Sequence, residues 1–144
     1  MGERVMIFMA TVMAAVFLPY FMTIAINGKY RNYSQIKNID TGRDVIIQVG
    51  DKNQLIDVEE YIAGVLPGLV DWKSSRDILE AQAVAVRTKI YYEMGSETVI
   101  KASDLQFTYY TKEDYIEKWG QNNESKIRGI YEEAVINTVE KIIE

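Results

Sequence analysis

Residues 5–26 form a run of 22 residues without a charged side chain. At about 1.5 Å per helical residue, this run reaches roughly 33 Å, which is enough to cross the hydrocarbon core of a bilayer. A buried soluble helix is a poor alternative, because the roughly 115 remaining residues make too small a domain to surround it. A secretory signal peptide usually has a shorter apolar region that ends in a small-residue cleavage site. We therefore predict an uncleaved, single-pass transmembrane anchor at residues 5–26.

The charges that flank this anchor leave its orientation open. One arginine precedes the run and three basic residues follow it by position 37, so the count of basic residues does not favour a domain outside the membrane. Residues 27–43 are polar and aperiodic, and Asn-Gly and Thr-Gly pairs mark turns within them. We interpret residues 27–43 as a tether that leads to a folded domain at residues 44–144.

The composition excludes several kinds of chemistry. The chain has no cysteine and no histidine, which removes thiolate nucleophiles, the commonest general base near neutral pH and the commonest metal ligands. We predict no metal and no cofactor, and any catalysis would rest on carboxylates, hydroxyls, lysine or tyrosine. With 21 acidic and 16 basic residues the formal net charge is −5, which argues against a nucleic-acid partner.

The beginning of the domain predicts a pair of short strands. Residues 44–49 are apolar and rich in β-branched side chains, turn-forming residues follow them, and residues 54–56 can return as a second strand. Helical patterns dominate the rest of the chain. We therefore predict an α+β fold, in which the transmembrane helix is followed by a small mixed domain with short strands and three to four helices.

A helix is predicted to begin after Asp57. The Asp57 side chain can accept a hydrogen bond from the third helical amide while Glu60 completes a capping box, and Ile56 and Tyr61 occupy the positions of a hydrophobic staple. Glu59 and Glu60 lie in the first turn, where negative charge suits the helix dipole. Adjacent helical side chains point about 100° apart, so these two carboxylates make a poor acid–base pair.

Pro67 and Gly68 should end this helix, since the residue before a proline disfavours helical angles and glycine permits a tight turn. Residues 69–72 then form an exposed or cleft-lining connection. Within it, Trp72 is able either to stack on a sugar ring or to act as a hydrophobic plug. The sequence leaves these two roles open.

A second helix follows, and Ser74 is predicted to cap it. Its apolar residues recur at helical spacing: Leu79, Ala83, Val86 and Ile90. Gln82 and Arg87 interrupt this apolar run, and polar side chains that are buried must be hydrogen-bonded. They either tie the helix to neighbouring backbone or line a cleft. Glu80 lies two turns before Arg87 on the same face, so the two are candidates for one polar network.

The last third of the chain predicts further helices. Residues 103–110 are interpreted as a strand or an extended segment, after which Thr111 and Asp114 begin a helix that ends at Gly120. Residues 124–144 have the apolar spacing of an amphipathic helix that packs on the core. The aromatic residues of this region fit core packing better than sugar binding: Tyr109, Tyr110, Tyr115 and Trp119.

Residues 58–88, VEEYIAGVLPGLVDWKSSRDILEAQAVAVRT, resemble the stage II sporulation protein D and amidase-enhancer family. The likeness rests on the acidic-aromatic start, on Gly64 and Val65, and on the Ala-Gln-Ala run that leads to Arg87; weaker echoes extend it from residue 44 to the C-terminus. The resemblance implies peptidoglycan remodelling outside the cytoplasmic membrane, often during spore engulfment. It also implies peptidoglycan glycan strands as ligand and a cell-wall amidase or a membrane protein as partner.

Two departures from the family pattern alter the expected activity. Members of the family are similar to lytic transglycosylases that use one glutamate, and the resemblance places this glutamate five residues after Gly64, where the chain has Leu69. Leucine cannot transfer a proton, and general acid–base catalysis commonly contributes about 10²–10⁴-fold to a rate. Asp71 is a weak substitute, because a small displacement of a catalytic group is costly. The family pattern also continues past Glu144, so we expect a C-terminally truncated domain.

These observations predict a membrane-anchored factor without catalytic residues, whose extracytoplasmic domain binds glycan or a partner protein in a cleft. One alternative is an active peptidoglycan lytic transglycosylase that uses a displaced acid such as Asp71 or Glu59, and another is a membrane scaffold. The candidate cleft residues are Glu59, Glu60, Leu69, Asp71, Trp72, Gln82 and Arg87.

Overall fold

The computed structural model describes residues 36–143. Within this part of the chain, no helix combines the length and the apolar character needed to cross a bilayer. The predicted anchor at residues 5–26 and most of the predicted tether lie outside the described residues. The elements follow one another as a 3-10 turn at Ile36–Asn38, β1 Asp44–Val49, β2 Lys52–Asp57, α1 Val58–Val65, a 3-10 turn at Leu66–Gly68, α2 Arg76–Met94, β3 Val99–Lys101, α3 Ala102–Leu105, α4 Lys112–Trp119 and α5 Gln121–Ile136.

The described domain is α+β, as the sequence predicts, with a three-stranded sheet of order β2-β1-β3. β1 and β2 form an antiparallel hairpin in which Asp44 faces Asp57 and Val49 faces Lys52. The turn between them needs Gly50, whose φ of +61° is strained for other residues. β3 pairs in parallel with β1, so that Asp44 faces Val99.

α1 is buried along most of its length and forms the centre of the core. Its buried apolar residues are Val58, Tyr61, Ile62, Ala63 and Val65. Asp57 caps this helix through Oδ1, which accepts a hydrogen bond from the Glu59 amide at 2.8 Å, while Oδ2 accepts from the backbone N–H and the hydroxyl of Thr41 at 2.7 and 2.9 Å. The predicted capping box with Glu60 is therefore wrong, because the cap is made to the second helical amide.

α2 carries the predicted apolar stripe, since Leu79, Ala83, Val86 and Ile90 are all buried. The helix begins one residue later than predicted: Ser75, and not Ser74, is its N-cap, and the Ser75 side chain makes no capping hydrogen bond. Together with α1, α4 and α5, α2 encloses a single hydrophobic core that also receives one face of the sheet.

The C-terminal third differs in detail from the predictions. The only strand between residues 99 and 110 is β3, which is followed by the single turn of α3 and then by Phe107–Tyr110 without regular structure. Thr111 and Asp114 form the predicted capping box at the start of α4. α5 begins at Gln121 instead of residue 124, because Gly120, with φ of +82°, both ends α4 and precedes α5. The described domain thus has five helices where three to four were predicted.

Candidate functional site

The break between α1 and α2 forms one wall of an open groove. The amides of Leu69 and Val70 donate to the carbonyl of Leu66 at 2.9 and 3.0 Å, which closes the 3-10 turn and directs the chain away from the core. Leu69 is 44% exposed, although most leucines of the domain are buried. The groove has a volume of about 330 Å³ and is lined by Pro67, Gly68, Leu69, Val70, Asp71, Trp72, Lys118, Trp119 and Tyr131.

Long-range contacts hold this break in place. The Tyr131 hydroxyl of α5 donates to the Val70 carbonyl at 2.7 Å, and the Tyr110 amide donates to the Gly64 carbonyl at 2.8 Å. Gly64 is required where it stands, because a Cβ atom there would overlap the ring of Tyr109. The shape of the groove is therefore set by α5 and by the segment before α4, as well as by the local turn.

Aromatic rings continue from the groove into the core. The ring centres of Tyr110 and Trp119 lie 6.4 Å apart, those of Tyr115 and Trp119 lie 5.2 Å apart, and Tyr115 meets Tyr131 edge to face at 6.5 Å. Burial raises the pKa of both Tyr115 and Tyr131 above the ordinary value for tyrosine. These phenols consequently stay protonated at neutral pH and do not act as bases. Both pack against neighbouring rings, and the Tyr131 hydroxyl also donates a hydrogen bond.

Lysine ammonium groups lie near three of the aromatic rings in and beside the groove. The Lys73 and Lys126 Nζ atoms are 5.4 and 5.7 Å from the ring centre of Trp72. The Lys118 Nζ atom is 4.8 Å from the ring centres of both Tyr110 and Trp119. Cation–π attraction of this kind places positive charge beside half-buried aromatic rings.

Asp71 is the single carboxylate among the residues that line the groove. Its Oδ1 atom accepts a hydrogen bond from the Lys73 amide at 2.8 Å, which stabilises the turn after the break. Leu69, which lies two positions before Asp71, has no ionisable group. The groove therefore combines apolar and aromatic surface, positive charge and one exposed carboxylate that already has a structural contact.

Glu59 and Arg87 are placed away from the groove, which corrects their assignment as cleft residues. Both side chains are fully buried, and Arg87 donates from Nε and Nη2 to the two carboxylate oxygens of Glu59 at 2.7 and 2.6 Å. Arg87 Nη1 also donates to the Lys141 carbonyl at 3.1 Å. Burial raises the pKa of Glu59, although the hydrogen bond from Arg87 opposes the rise. The pair links α1 to α2, and Arg87 also links them to the turn that follows α5, at residues 137–141.

Gln82 and Glu60 also lie outside the groove. Gln82 is half-buried on α2 and is not among the residues that line the groove. The predicted network between Glu80 and Arg87 is wrong, because Glu80 accepts hydrogen bonds from Arg76 at 2.6 Å and from Asn137 at 3.2 Å. Of the seven candidate cleft residues, Leu69, Asp71 and Trp72 share the groove.

Glu60 lines a second, much smaller cavity that also contains Glu132. Its volume is about 10 Å³, which is room for about one water molecule and none for a sugar. Glu132 Oε1 accepts from Arg128 Nε at 3.1 Å, whereas its buried Oε2 atom has no hydrogen-bond partner among the described residues. Burial raises the Glu132 pKa to about 7. The sequence gives no sign that Glu132 is buried, because a glutamate in a polar-rich helix is normally exposed.

Potential metal ligands are dispersed in the described part of the chain. Residues 36–143 contain no group of three or more carboxylates placed to hold a metal ion. The sequence does not indicate the lysines near the groove as a set, since Lys73, Lys118 and Lys126 come from three separate segments. The part of the groove that the local sequence does indicate is residues 69–72, beside the Pro-Gly break.

Comparison with known proteins gives one family assignment. Residues 49–144 match the model of the family SpoIID, described as stage II sporulation protein, and this match covers well over half of the chain. A comparison with curated proteins finds no match. The matched range contains α1, the break, α2 and every residue that lines the groove.

Proposed function

The chain belongs to the SpoIID family of stage II sporulation proteins, and from this premise we propose that it is a non-catalytic, glycan-binding factor of peptidoglycan remodelling during sporulation. Residues 5–26 anchor it in the cell membrane in this proposal, and the tether holds an extracytoplasmic domain against the wall. A cell-wall amidase or a membrane protein is the partner that we expect beside it.

Leu69 carries the non-catalytic part of the proposal. It stands at the position where the family resemblance expects the catalytic glutamate, and it is exposed at the groove where such a group would meet a ligand. Loss of a general acid–base group commonly removes about 10²–10⁴-fold of a rate enhancement. With a leucine there, the groove offers apolar contact area in place of proton transfer.

The aromatic rings support a sugar as the ligand. Trp72 and Trp119 both line the groove and both are half-buried, so each ring is fixed by packing while part of its surface stays accessible. Aromatic faces and a small number of polar groups are a usual composition of ligand sites. Asp71, Lys118 and Gly68 backbone groups supply polar edges for sugar hydroxyls.

An active transglycosylase that uses Asp71 is less well supported. The Asp71 carboxylate is exposed and is committed to the turn through the Lys73 amide. A catalytic acid usually needs a desolvated setting that raises its pKa towards the working pH. Glu59, the other displaced acid considered, is enclosed with Arg87 and has no access to a ligand.

The proposal is tested with the full chain in detergent micelles and purified peptidoglycan. Anhydro-sugar products are measured by mass spectrometry, and binding is measured by sedimentation with the insoluble wall. We expect saturable binding without products. Products from the wild-type chain that vanish in Asp71→Asn would establish the enzyme alternative. A folded chain that neither binds nor cleaves would favour a membrane scaffold.

A pair of aromatic variants locates the binding surface. Trp72→Ala should weaken wall binding about tenfold, which corresponds to roughly 1.4 kcal/mol and is in the range for a lost aromatic contact. Tyr92→Ala is the matched control, because Tyr92 is 83% exposed on α2 and does not line the groove. Equal binding by both variants would place the glycan elsewhere. Circular dichroism melting checks that both variants are folded.

A further inference from the structure

The small cavity that contains Glu132 is closed on one side by the first turn of the described chain, the entry turn Ile36–Asn38. Ile36 is 1% exposed and lines this cavity together with Glu60, Arg128 and Glu132. An aliphatic side chain has no atom that can hydrogen-bond to a carboxyl group. The entry turn therefore places apolar surface against the cavity of a buried acid.

The entry turn is held on the domain by apolar contacts. Its backbone hydrogen bond runs from the Ile39 amide to the Ile36 carbonyl at 3.1 Å and so stays within the segment. Ile36 is buried in the core and Ile39 packs against it. The first hydrogen bonds that join this segment to the rest of the described domain are at Thr41, whose backbone N–H and hydroxyl both donate to Asp57. Apolar burial is therefore what holds the residues before Thr41.

Glu132 has one oxygen that is hydrogen-bonded and one that is not. Its Oε1 atom accepts from Arg128 Nε at 3.1 Å, and Arg128 Nη1 also donates to Glu124 at 3.3 Å, so one positive charge is shared by two carboxylates. The buried Oε2 atom has no hydrogen-bond partner within residues 36–143. A neutral carboxyl group bears this setting at a modest cost, whereas an ionised one needs a donor or water at both oxygens.

Charged groups on each neighbouring element act on Glu132. Burial is the main cause of its raised pKa, and Arg128 on the same helix opposes the rise. Glu60 of α1 adds to the rise, while Lys37 of the entry turn opposes it. Because Lys37 is exposed, water screens its attraction, and the net effect of these groups still disfavours the ionised form. Three phenol rings complete the lining of the cavity: Tyr109, Tyr110 and Tyr115.

The entry turn is the wall of the cavity that opens at the least cost. The opposite wall includes Ala63 and Gly64 of α1, the helix at the centre of the core. The Tyr110 amide donates to the Gly64 carbonyl at 2.8 Å, which fixes the aromatic wall to that helix. The cavity, at about 10 Å³, has room for about one water molecule, so hydration of a carboxylate inside it requires one wall to move.

We propose that ionisation of Glu132 releases the entry turn while Thr41 stays attached, so that residues 36–40 lie on the domain in mild acid and leave it above neutral pH. Five released residues lengthen the chain that leads into the domain by up to about 17 Å. The device thus sets how far the domain reaches from whatever holds the preceding chain. It is independent of glycan binding, because the entry turn does not line the groove.

A spin label on the entry turn tests this proposal. The chain has no cysteine, so a nitroxide attached to Asn38→Cys is unique, and Asn38 is exposed and does not line the cavity. Electron paramagnetic resonance of the full chain in detergent micelles gives the ratio of mobile to immobile label at pH 5.5 and pH 8.5. We expect this ratio to rise by about tenfold. The limit is about 30-fold, reached if Glu132 has a pKa of about 7 with the turn seated and its ordinary 4.5 with the turn released.

Glu132→Gln and Glu133→Gln form a matched pair of variants in the labelled chain, because Glu133 is the exposed neighbour on α5. Glu132→Gln cannot ionise, so its label should stay immobile at pH 8.5. Glu133→Gln should respond to pH as the unsubstituted chain does. Release of the turn at pH 8.5 in Glu132→Gln, or an unchanged ratio in the unsubstituted chain, would overturn the proposal.

Two further measurements separate release of the entry turn from loss of the fold. Ile36→Ala removes the side chain that seats the turn, so its label should be mobile already at pH 5.5; an immobile label there would overturn the proposal even if Glu132→Gln does not fold. A second label at Glu93→Cys, on the exposed side of α2, should be unaffected up to pH 8.5. Loosening of both labels together would contradict local release, because it would show that the whole domain unfolds.

Discussion

Arg87 of α2 and Glu59 of α1 form a two-bonded ion pair in the core, with both side chains fully buried and donor–acceptor distances of 2.7 and 2.6 Å. The two residues are 28 positions apart in sequence. Through Nη1, Arg87 extends this contact to the C-terminal turn at Lys141. This pair joins α1 and α2, the two helices between which the residues of the break line the groove.

Arg87→Ala should strongly destabilise the domain, because it leaves the Glu59 carboxylate buried without a partner. Removing one member of a buried ion pair typically costs about 3–5 kcal/mol. The free energy of unfolding is measured by urea titration of the full chain in micelles. Arg76→Ala is the control, since Arg76 pairs with Glu80 at the surface, and it should change stability little. Similar losses in the two variants would contradict the structural role of Arg87.

Leu69→Glu should be tolerated, because the side chain is exposed and its replacement is hydrated. We expect the free energy of unfolding to change by no more than about 0.5 kcal/mol. Leu66→Glu, three residues earlier and fully buried, should instead cost several kcal/mol, on the order of a buried unpaired charge. A large drop in melting temperature for Leu69→Glu would show that residue 69 packs against the core.

Glu132 should make the stability of the domain depend on pH near neutrality. Burial raises its pKa from the ordinary 4.5 to about 7, so the folded chain binds this proton more tightly than the unfolded chain does. The resulting stabilisation is fully present below about pH 4.5 and is lost as the pH rises through about 7; it amounts to roughly 3 kcal/mol. Wild-type stability should therefore fall between pH 5 and pH 8.

Glu132→Gln tests this dependence, because the amide cannot ionise. Its free energy of unfolding relative to wild type should increase from pH 5 to pH 8, when both are followed by urea titration. Glu133→Gln, the exposed neighbour on α5, should show the same pH dependence as wild type. A pH-independent difference between wild type and Glu132→Gln would show that the buried carboxyl does not titrate in this range.

Gly64→Ala should destabilise the chain by about 1–3 kcal/mol, the usual cost of overpacking a core. The added methyl group would overlap the Tyr109 ring, which is stacked on Tyr61 with ring centres 5.7 Å apart. In a Tyr109→Ala background the overlap is gone, so the same change should have a much smaller effect. Additive losses in this double-mutant cycle would indicate that the Tyr109 ring moves freely out of the way.

Local signals in the sequence predicted local structure well. The capping box of Thr111 and Asp114 depends on residues three positions apart, and the apolar stripe of α2 repeats within each turn, so both can be read from short windows. The sequence predicts the start of α5 at residue 124, which is three residues too late. Gln121 and the two asparagines after it resemble a loop that follows the glycine at the end of α4.

Features that depend on distant parts of the chain could not be predicted. β3 has three residues, which is too short for an alternating pattern to be recognised. It is defined by its parallel partner β1, which lies more than 50 positions earlier. Arg87 and Lys118 show the same limit within the candidate site. Arg87 is expected in a cleft because the sequence does not show that Glu59 is its partner. Lys118 contacts rings that are near in sequence, Tyr110 and Trp119, but its place at the groove depends on the break at residues 67–72, about 50 positions earlier.

Asp57 joins two parts of the chain through one carboxylate: Oδ1 caps α1 and Oδ2 holds Thr41. The next residue, Val58, donates its amide to the Arg43 carbonyl at 2.9 Å. A mechanical load that entered the domain from residues before Thr41 would therefore reach the first turn of α1 before it reached the hairpin loop. Such a load would act on α1, the helix that leads to the groove.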